Sequence, residues 1–235
     1  MVQTEGVIND IPKKILVVDD FLSKTLSDTI ETEFKDKIDW TLGDTVKGSS
    51  GVGNKYFRDR GFSNIYEQFQ FNHMFLRKDF YSKEHITFEP NFFPIILPPL
   101  TEAISKIGIS TTMDQILRIK ANLQTKAPKE SHGLYNLPHI DTWDEKNNFT
   151  LIYYVNDSDG DTFFFNEPNP KTEEDFKNLT IHERVTPKKG RAVIFRSDFL
   201  HSGSHPIENE MRIIINYNFY AYKIVEREEK IIFRE

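Results

Sequence analysis

From about Gln115 the chain repeats one theme, short β-prone segments at 115–123, 149–155, 162–165, 181–186, 191–196 and 211–224 joined by polar or glycine-bearing connections. Strands this short and this numerous cannot bury an apolar face singly, so the pattern predicts a sandwich or barrel. The first half reads differently. Ile15-Leu16-Val17-Val18 suits a buried strand, and Phe21, Leu22, Leu26, Ile30 and Phe34 follow at helical spacing, with Ser23 or Asp20 placed to cap. Residues 43–54 read as a loop whose glycines lack the Gly-Lys-Ser/Thr ending of a phosphate loop. The stretch 55–97 is aromatic and irregular and leads to Pro98 and Pro99, after which Leu100–Ile107 resumes a helical pattern. No low-complexity linker or internal repeat divides the halves. The expected architecture is mainly β with flanking helices, one domain over 1–235, with a helical and irregular part at about 1–113 packed on a β core at about 114–224.

Composition removes several classes of function. There is no cysteine, which excludes disulfides, thiolate metal sites and a cysteine nucleophile. The net charge is -6 and Lys188-Lys189 is as long as basic runs become, so no concentrated basic surface for nucleic acid is expected. The N-terminus lacks a signal-peptide pattern and no apolar run is long enough to span a bilayer, from which a soluble, cytoplasmic protein with no membrane partner is expected. With 20 Phe and 9 Tyr the core need not be small. Oligomeric state leaves no signature.

The chemistry centres on His139-Ile140-Asp141. Positions i and i+2 of an extended chain share a side, so an imidazole and a carboxylate converge. His201, after Arg191–Phe195, offers a third ligand. Two histidines and one carboxylate on one face of an octahedral ion leave three positions open, a set that suits Fe(II) and also accepts manganese, cobalt or zinc. Eleven residues beyond His201, Arg212 heads the apolar run Ile213-Ile214-Ile215. A cation there is costly unless paired, and a dicarboxylic cosubstrate would pair it in bidentate fashion.

Residues from about 115 to 222 resemble the Fe(II)/2-oxoglutarate-dependent oxygenases of the prolyl 4-hydroxylase-like type. The matching pieces come in the family's order: His139-Ile140-Asp141, the strand Thr150–Asn156, the turn Gly160-Asp161-Thr162-Phe163, the segment Pro187–Phe195, then His201 and Arg212. Lys14–Leu22 also looks like the usual opening. The resemblance implies a double-stranded β-helix (jelly-roll) core with N-terminal helices packed on it. It implies iron at His139, Asp141 and His201, the distal carboxylate of 2-oxoglutarate at Arg212 and Tyr154, and a small polar residue, Thr162, facing the same pocket. Asn216, on the face of Arg212, and Asn122, on the strand before His139, are further cosubstrate contacts. O2 is the second cosubstrate and ascorbate a candidate reductant. Two features depart from the pattern: Asp161 replaces the second glycine of the turn, and the His201–Arg212 interval is longer by a residue or two.

Plainer readings stand beside these. His205 could replace His201, although as a neighbour of the site it is expected to be solvated. Arg212 could pair with Glu210 or Asp198, and Tyr154 could be a core tyrosine. His73, His85, His132 and His182 are expected to be structural or exposed, and Trp40 and Phe57 to be core. The leading expectation is hydroxylation of a prolyl residue in a peptide or protein. The alternatives are an oxygenase acting on a free amino acid or other small molecule, a cupin-like metal enzyme that ignores 2-oxoglutarate, and a non-enzymatic binding module. Residues 43–60 and 124–137 are expected to frame the entrance as a mobile lid.

Overall fold

The computed structural model describes residues 15–43, 59, 61–79, 84–107, 109–142, 147–168 and 170–223. Its frame is an eight-stranded antiparallel sheet ordered β1 (Leu16–Val18), β10 (Ala192–Arg196), β7 (Asn148–Tyr154), β12 (Met211–Tyr220), β6 (Ile116–Thr125), β3 (Gln70–Lys78) and β2 (Thr41–Gly43), with β4 (His85–Phe88) also paired to β3. A three-stranded sheet, β11 (His201–Gly203), β8 (Thr162–Phe165) and β9 (Ile181–Val185), faces it, and β5 (Ile109–Ser110) pairs with β13 (Tyr222–Lys223). Two antiparallel sheets face to face make the jelly-roll, as expected.

Strand parity decides what goes where. On β12, Ile213, Ile215, Tyr217 and Phe219 are fully buried on one side. They pack there with Leu151 and Tyr153 of β7, Ile119 and Ala121 of β6, and the apolar faces of two helices. The first helix, α1 (Lys24–Asp36), brings Ile30 and Phe34, and its cap is Ser23, whose hydroxyl accepts from the Leu26 amide at 3.4 Å. The second, α2 (Phe93–Ile107), brings Ile96, Leu100 and Ala103. The opposite parity, Ile152, Tyr154, Val193, Phe195 and Ile214, packs with Phe164 and Val185 between the sheets.

Two N-terminal expectations are corrected. The stretch read as irregular contains β3, a nine-residue strand within the main sheet. Its alternation fails because the register shifts between Met74 and Leu76, so that Phe75 and Leu76 are both fully buried. The helix expected to begin at Leu100 begins at Phe93 and runs through Pro98 and Pro99. Each proline costs a helix an amide donor, but the burial of Ile96, Leu100 and Ala103 holds the segment, and the Tyr217 hydroxyl donates to the Ile96 carbonyl at 2.6 Å.

Residues 124–137 complete β6 and then turn through a 3-10 segment, Lys129–Ser131; the Lys126 and Ala127 amides donate to the Glu210 and Pro206 carbonyls at 3.0 and 2.8 Å. Of the other entrance segment, 44–58 and 60 lie outside the described residues, as do the glycine loop at 49–54 and Phe57. Among the described residues no helix is long and apolar enough to cross a membrane.

Candidate active site

His139 and His201 meet through their backbones: each amide donates to the other's carbonyl at 2.9 Å, an antiparallel bridge between segments far apart in sequence. The Asp141 amide donates to the Ser197 carbonyl at 2.9 Å. Each imidazole turns Nδ1 towards a backbone carbonyl, Leu137 at 3.4 Å and Phe199 at 2.9 Å. That leaves the two Nε2 atoms 4.0 and 3.8 Å from the Asp141 carboxylate. One ligand atom from each residue lies within 4.8 Å of the others, the convergence expected for His139, Asp141 and His201.

Asp141 is heavily supported. Arg118 Nη2 donates to Oδ1 at 3.0 Å, while Thr150 Oγ1 and Asn218 Nδ2 donate to Oδ2 at 2.8 and 3.0 Å. Burial opposes its ionisation, yet the charges of His201, Arg118 and His139 with the Thr150 hydrogen bond outweigh that and hold the carboxyl well below the usual carboxylate range. Such outer partners fix a ligand's orientation and basicity. Arg118, Thr150 and Asn218 were not foreseen, because they follow from strand register: Arg118 opposes Asn218, which opposes Thr150.

The same cavity, of about 230 Å³, reaches Arg212 at its far end. Arg212 is 3% exposed; Nη1 donates to Gln124 Oε1 at 2.7 Å, Nη2 to Thr162 Oγ1 at 2.8 Å, and Nε has no partner. Both acceptors are neutral. The carboxylates considered for it are engaged elsewhere, Glu210 with Lys126 and Asp198 with Arg196, while Asp161 pairs with Arg184 at 2.6 Å. Asp161 in place of glycine is thus accommodated by a cation of β9. The position before it tolerates no side chain, since a Cβ on Gly160 would lie 2.6 Å from the Ser204 carbonyl and 2.9 Å from Arg212 Cδ. The longer His201–Arg212 interval folds onto Asp159, whose carboxylate accepts the amides of Ile207, Glu208 and Asn209.

Thr162, Asn122 and Asn216 line the cavity. Tyr154 stands behind it: fully buried, its hydroxyl 2.6 Å from Thr162 Oγ1 and its ring 5.7 Å from the Arg212 guanidinium. Tyr153 points the other way, to Ser27 of α1. His205 is not part of the cluster, and it is buried where solvation was expected, with Nδ1 3.1 Å from the Thr125 carbonyl, because the 204–209 loop folds back. His73 bridges Asp39 and Glu89; His85, His132 and His182 are exposed; Trp40 packs against the core. The remaining polar wall was not foreseen: Gln70, Arg118, Lys120, Gln124 and Asn136. On β6, Arg118, Lys120, Asn122 and Gln124 alternate into the cavity; burial, with Arg118 beside it, pulls Lys120 down to about 8.

A family model described as the 2OG-Fe(II) oxygenase superfamily matches residues 127–220, the stretch that holds all three clustered residues and Arg212. Residues 127–220 form a 2OG-Fe(II) oxygenase domain. This oxygenase is a 2-oxoglutarate-dependent dioxygenase, with Fe(II) and 2-oxoglutarate as cofactors. No curated protein matches it. Among solved structures it is similar to a 2OG-Fe(II) oxygenase-family oxidoreductase from Burkholderia pseudomallei, at 9% identity over 91% of this chain and 87% of that one, TM-score 0.54. SnoN, an alpha ketoglutarate dependent epimerase from nogalamycin biosynthesis, gives 11% identity over 89% and 81%, TM-score 0.52. HygX from Streptomyces hygroscopicus, with nickel and 2-oxoglutarate bound, gives 9% over 88% and 82%, also at 0.52. At such identities the likeness is one of fold.

The oxygenase's residues fit both cofactors. The clustered donors are nitrogen and oxygen without thiolate, as a non-haem ferrous site requires. A buried guanidinium with neutral partners and an unused Nε asks for a carboxylate.

Proposed function

We propose that this oxygenase hydroxylates a C–H bond of its substrate, with His139, Asp141 and His201 holding the ferrous ion and Arg212 holding the distal carboxylate of 2-oxoglutarate. The observation that carries the reading is Arg212: a cation 3% exposed, bonded to Gln124 and Thr162, in one cavity with the His-Asp-His cluster. Burying a charge without its counterion costs several kcal/mol, and a diacid cosubstrate removes that cost.

When bound, iron and 2-oxoglutarate supply the oxidising chemistry, and the protein's residues supply position. Gln124 and Thr162 hold the guanidinium fork from two sides, and the Tyr154 hydroxyl pins Thr162. Asn122, Asn216, Ile152 and Ile214 line the same cavity. Arg118, Thr150 and Asn218 keep Asp141 ionised and aimed. One domain spans the chain in this reading, because strands from the N-terminal part complete the sheet that carries the site.

For the substrate, a prolyl residue in a peptide finds no support on the cavity wall. Among the described residues no Phe, Tyr or Trp lines it to stack on a pyrrolidine ring; amides and cations do. That wall favours a small polar substrate.

The test is anaerobic titration of the protein with Fe(II) and 2-oxoglutarate, followed by visible absorption. A weak charge-transfer band is expected only with both present, and should be lost in His139→Ala. Metal binding without the band would favour a cupin-like enzyme that ignores 2-oxoglutarate; no metal binding would favour a binding module.

A further inference from the structure

Lys120 belongs neither to the His-Asp-His cluster nor to the contacts that hold Arg212. It projects from β6 into the cavity, half-buried, and among the described residues no carboxylate forms an ion pair with it. Arg118, the cation beside it, is engaged by Asp141 at 3.0 Å. In register Lys120 opposes Asn216, four residues along β6 from Gln124, which opposes Arg212. At about 3.4 Å per residue the two cations spring from backbone positions roughly 14 Å apart, and the Arg212 guanidinium is tied to Gln124, so Lys120 is left for a second anion.

Charge and hydrogen bonding then agree on what is missing. Of the three cations that line the cavity, Arg118 is paired with Asp141 and Arg212 is taken by the cosubstrate, which leaves Lys120 without an anion. The cavity also holds three carboxamides, Asn122, Asn136 and Asn216, whose Oδ1 atoms are buried without a donor. A dianion carries acceptors alone and cannot serve them. The missing molecule brings an anion for Lys120 and N–H groups for the amides.

We infer that the substrate is a free α-amino acid, its carboxylate held by Lys120 and its ammonium group by the Asn122, Asn136 and Asn216 carboxamides. This rests on the reading in which Arg212 takes the cosubstrate.

The test uses protein loaded with Zn(II) and 2-oxoglutarate, which cannot turn over, titrated calorimetrically with the L-amino acids and with their primary amides. At least one acid should bind, with its amide tenfold or more weaker. K120Q should abolish that preference, K120R should keep it, and both should bind 2-oxoglutarate within threefold of wild type. Equal binding of acid and amide, binding of no amino acid, or a tenfold loss of 2-oxoglutarate affinity in K120Q would each overturn the inference. Failure of the Zn(II)-loaded wild type to bind 2-oxoglutarate, seen before any amino acid is added, overturns instead the function on which it rests.

Discussion

Replacing Arg212 by Met separates a cosubstrate anchor from a structural ion pair, because the two roles move stability and binding in different directions. In the free protein the substitution forfeits two hydrogen bonds, to Gln124 and Thr162, each worth about 0.5–1.5 kcal/mol. It also relieves the burial of a guanidinium that is 3% exposed and has no partner at Nε, a burden of several kcal/mol. The apo variant should therefore unfold at the wild-type temperature or above it. With 2-oxoglutarate the balance reverses. Losing one member of a buried, hydrogen-bonded charge pair costs about 2–5 kcal/mol, and at about 1.4 kcal/mol per tenfold the dissociation constant should rise roughly thirtyfold to several thousandfold. Zn(II) affinity should hold, since the metal cluster lies at the other end of the cavity. Calorimetric titration of Zn(II)-loaded protein and thermal unfolding of apo protein read both sides. Unchanged 2-oxoglutarate affinity, or an apo variant destabilised by about 3 kcal/mol or more, the cost typical of breaking a buried ion pair, would refute the reasoning.

Two further outcomes follow from the same geometry. Gly160→Ala should lower both thermal stability and 2-oxoglutarate affinity, since its Cβ would press on the Ser204 carbonyl and Arg212 Cδ; wild-type affinity in a folded variant would show that Arg212 is not held by this turn. Burial lowers His205 to about 4 from 6.5, so between those values the unfolded chain binds the proton and the folded protein does not. Stability should fall as the pH drops from 6.5 to 4, by at most about 3 kcal/mol from this residue. In His205→Leu, urea melts across that window should show a correspondingly weaker pH dependence.

What could be read in advance was whatever strand parity and spacing encode locally. His139 and Asp141 share a side by alternation, and Arg212 and Asn216 do so on one strand, so each pair was visible before its partner strand was known. Register was not visible. Arg118 and Lys120 become wall residues because β6 is flanked by β3 and β12, and nothing local announces that Arg118 will meet Asp141 across 23 residues of chain. β3 was hidden for a related reason. A strand that walls a polar cavity carries Gln70 where alternation would place a hydrophobe, and the shift after Met74 breaks what pattern remains. The Pro98-Pro99 helix shows the opposite failure, a local rule overridden by burial of Ile96, Leu100 and Ala103. His205 depended on how a loop folds back onto Asp159, a contact spanning nearly 50 residues.

The reciprocal amide bridge between His139 and His201 bears on how the centre is filled. Both imidazoles are carried on backbone that the chain itself clamps together, with each Nδ1 already turned to a carbonyl. Assembly of the ligand set therefore belongs to folding and not to metal arrival. A chelator should empty such a site and leave the polypeptide standing, ready to take the ion back without refolding.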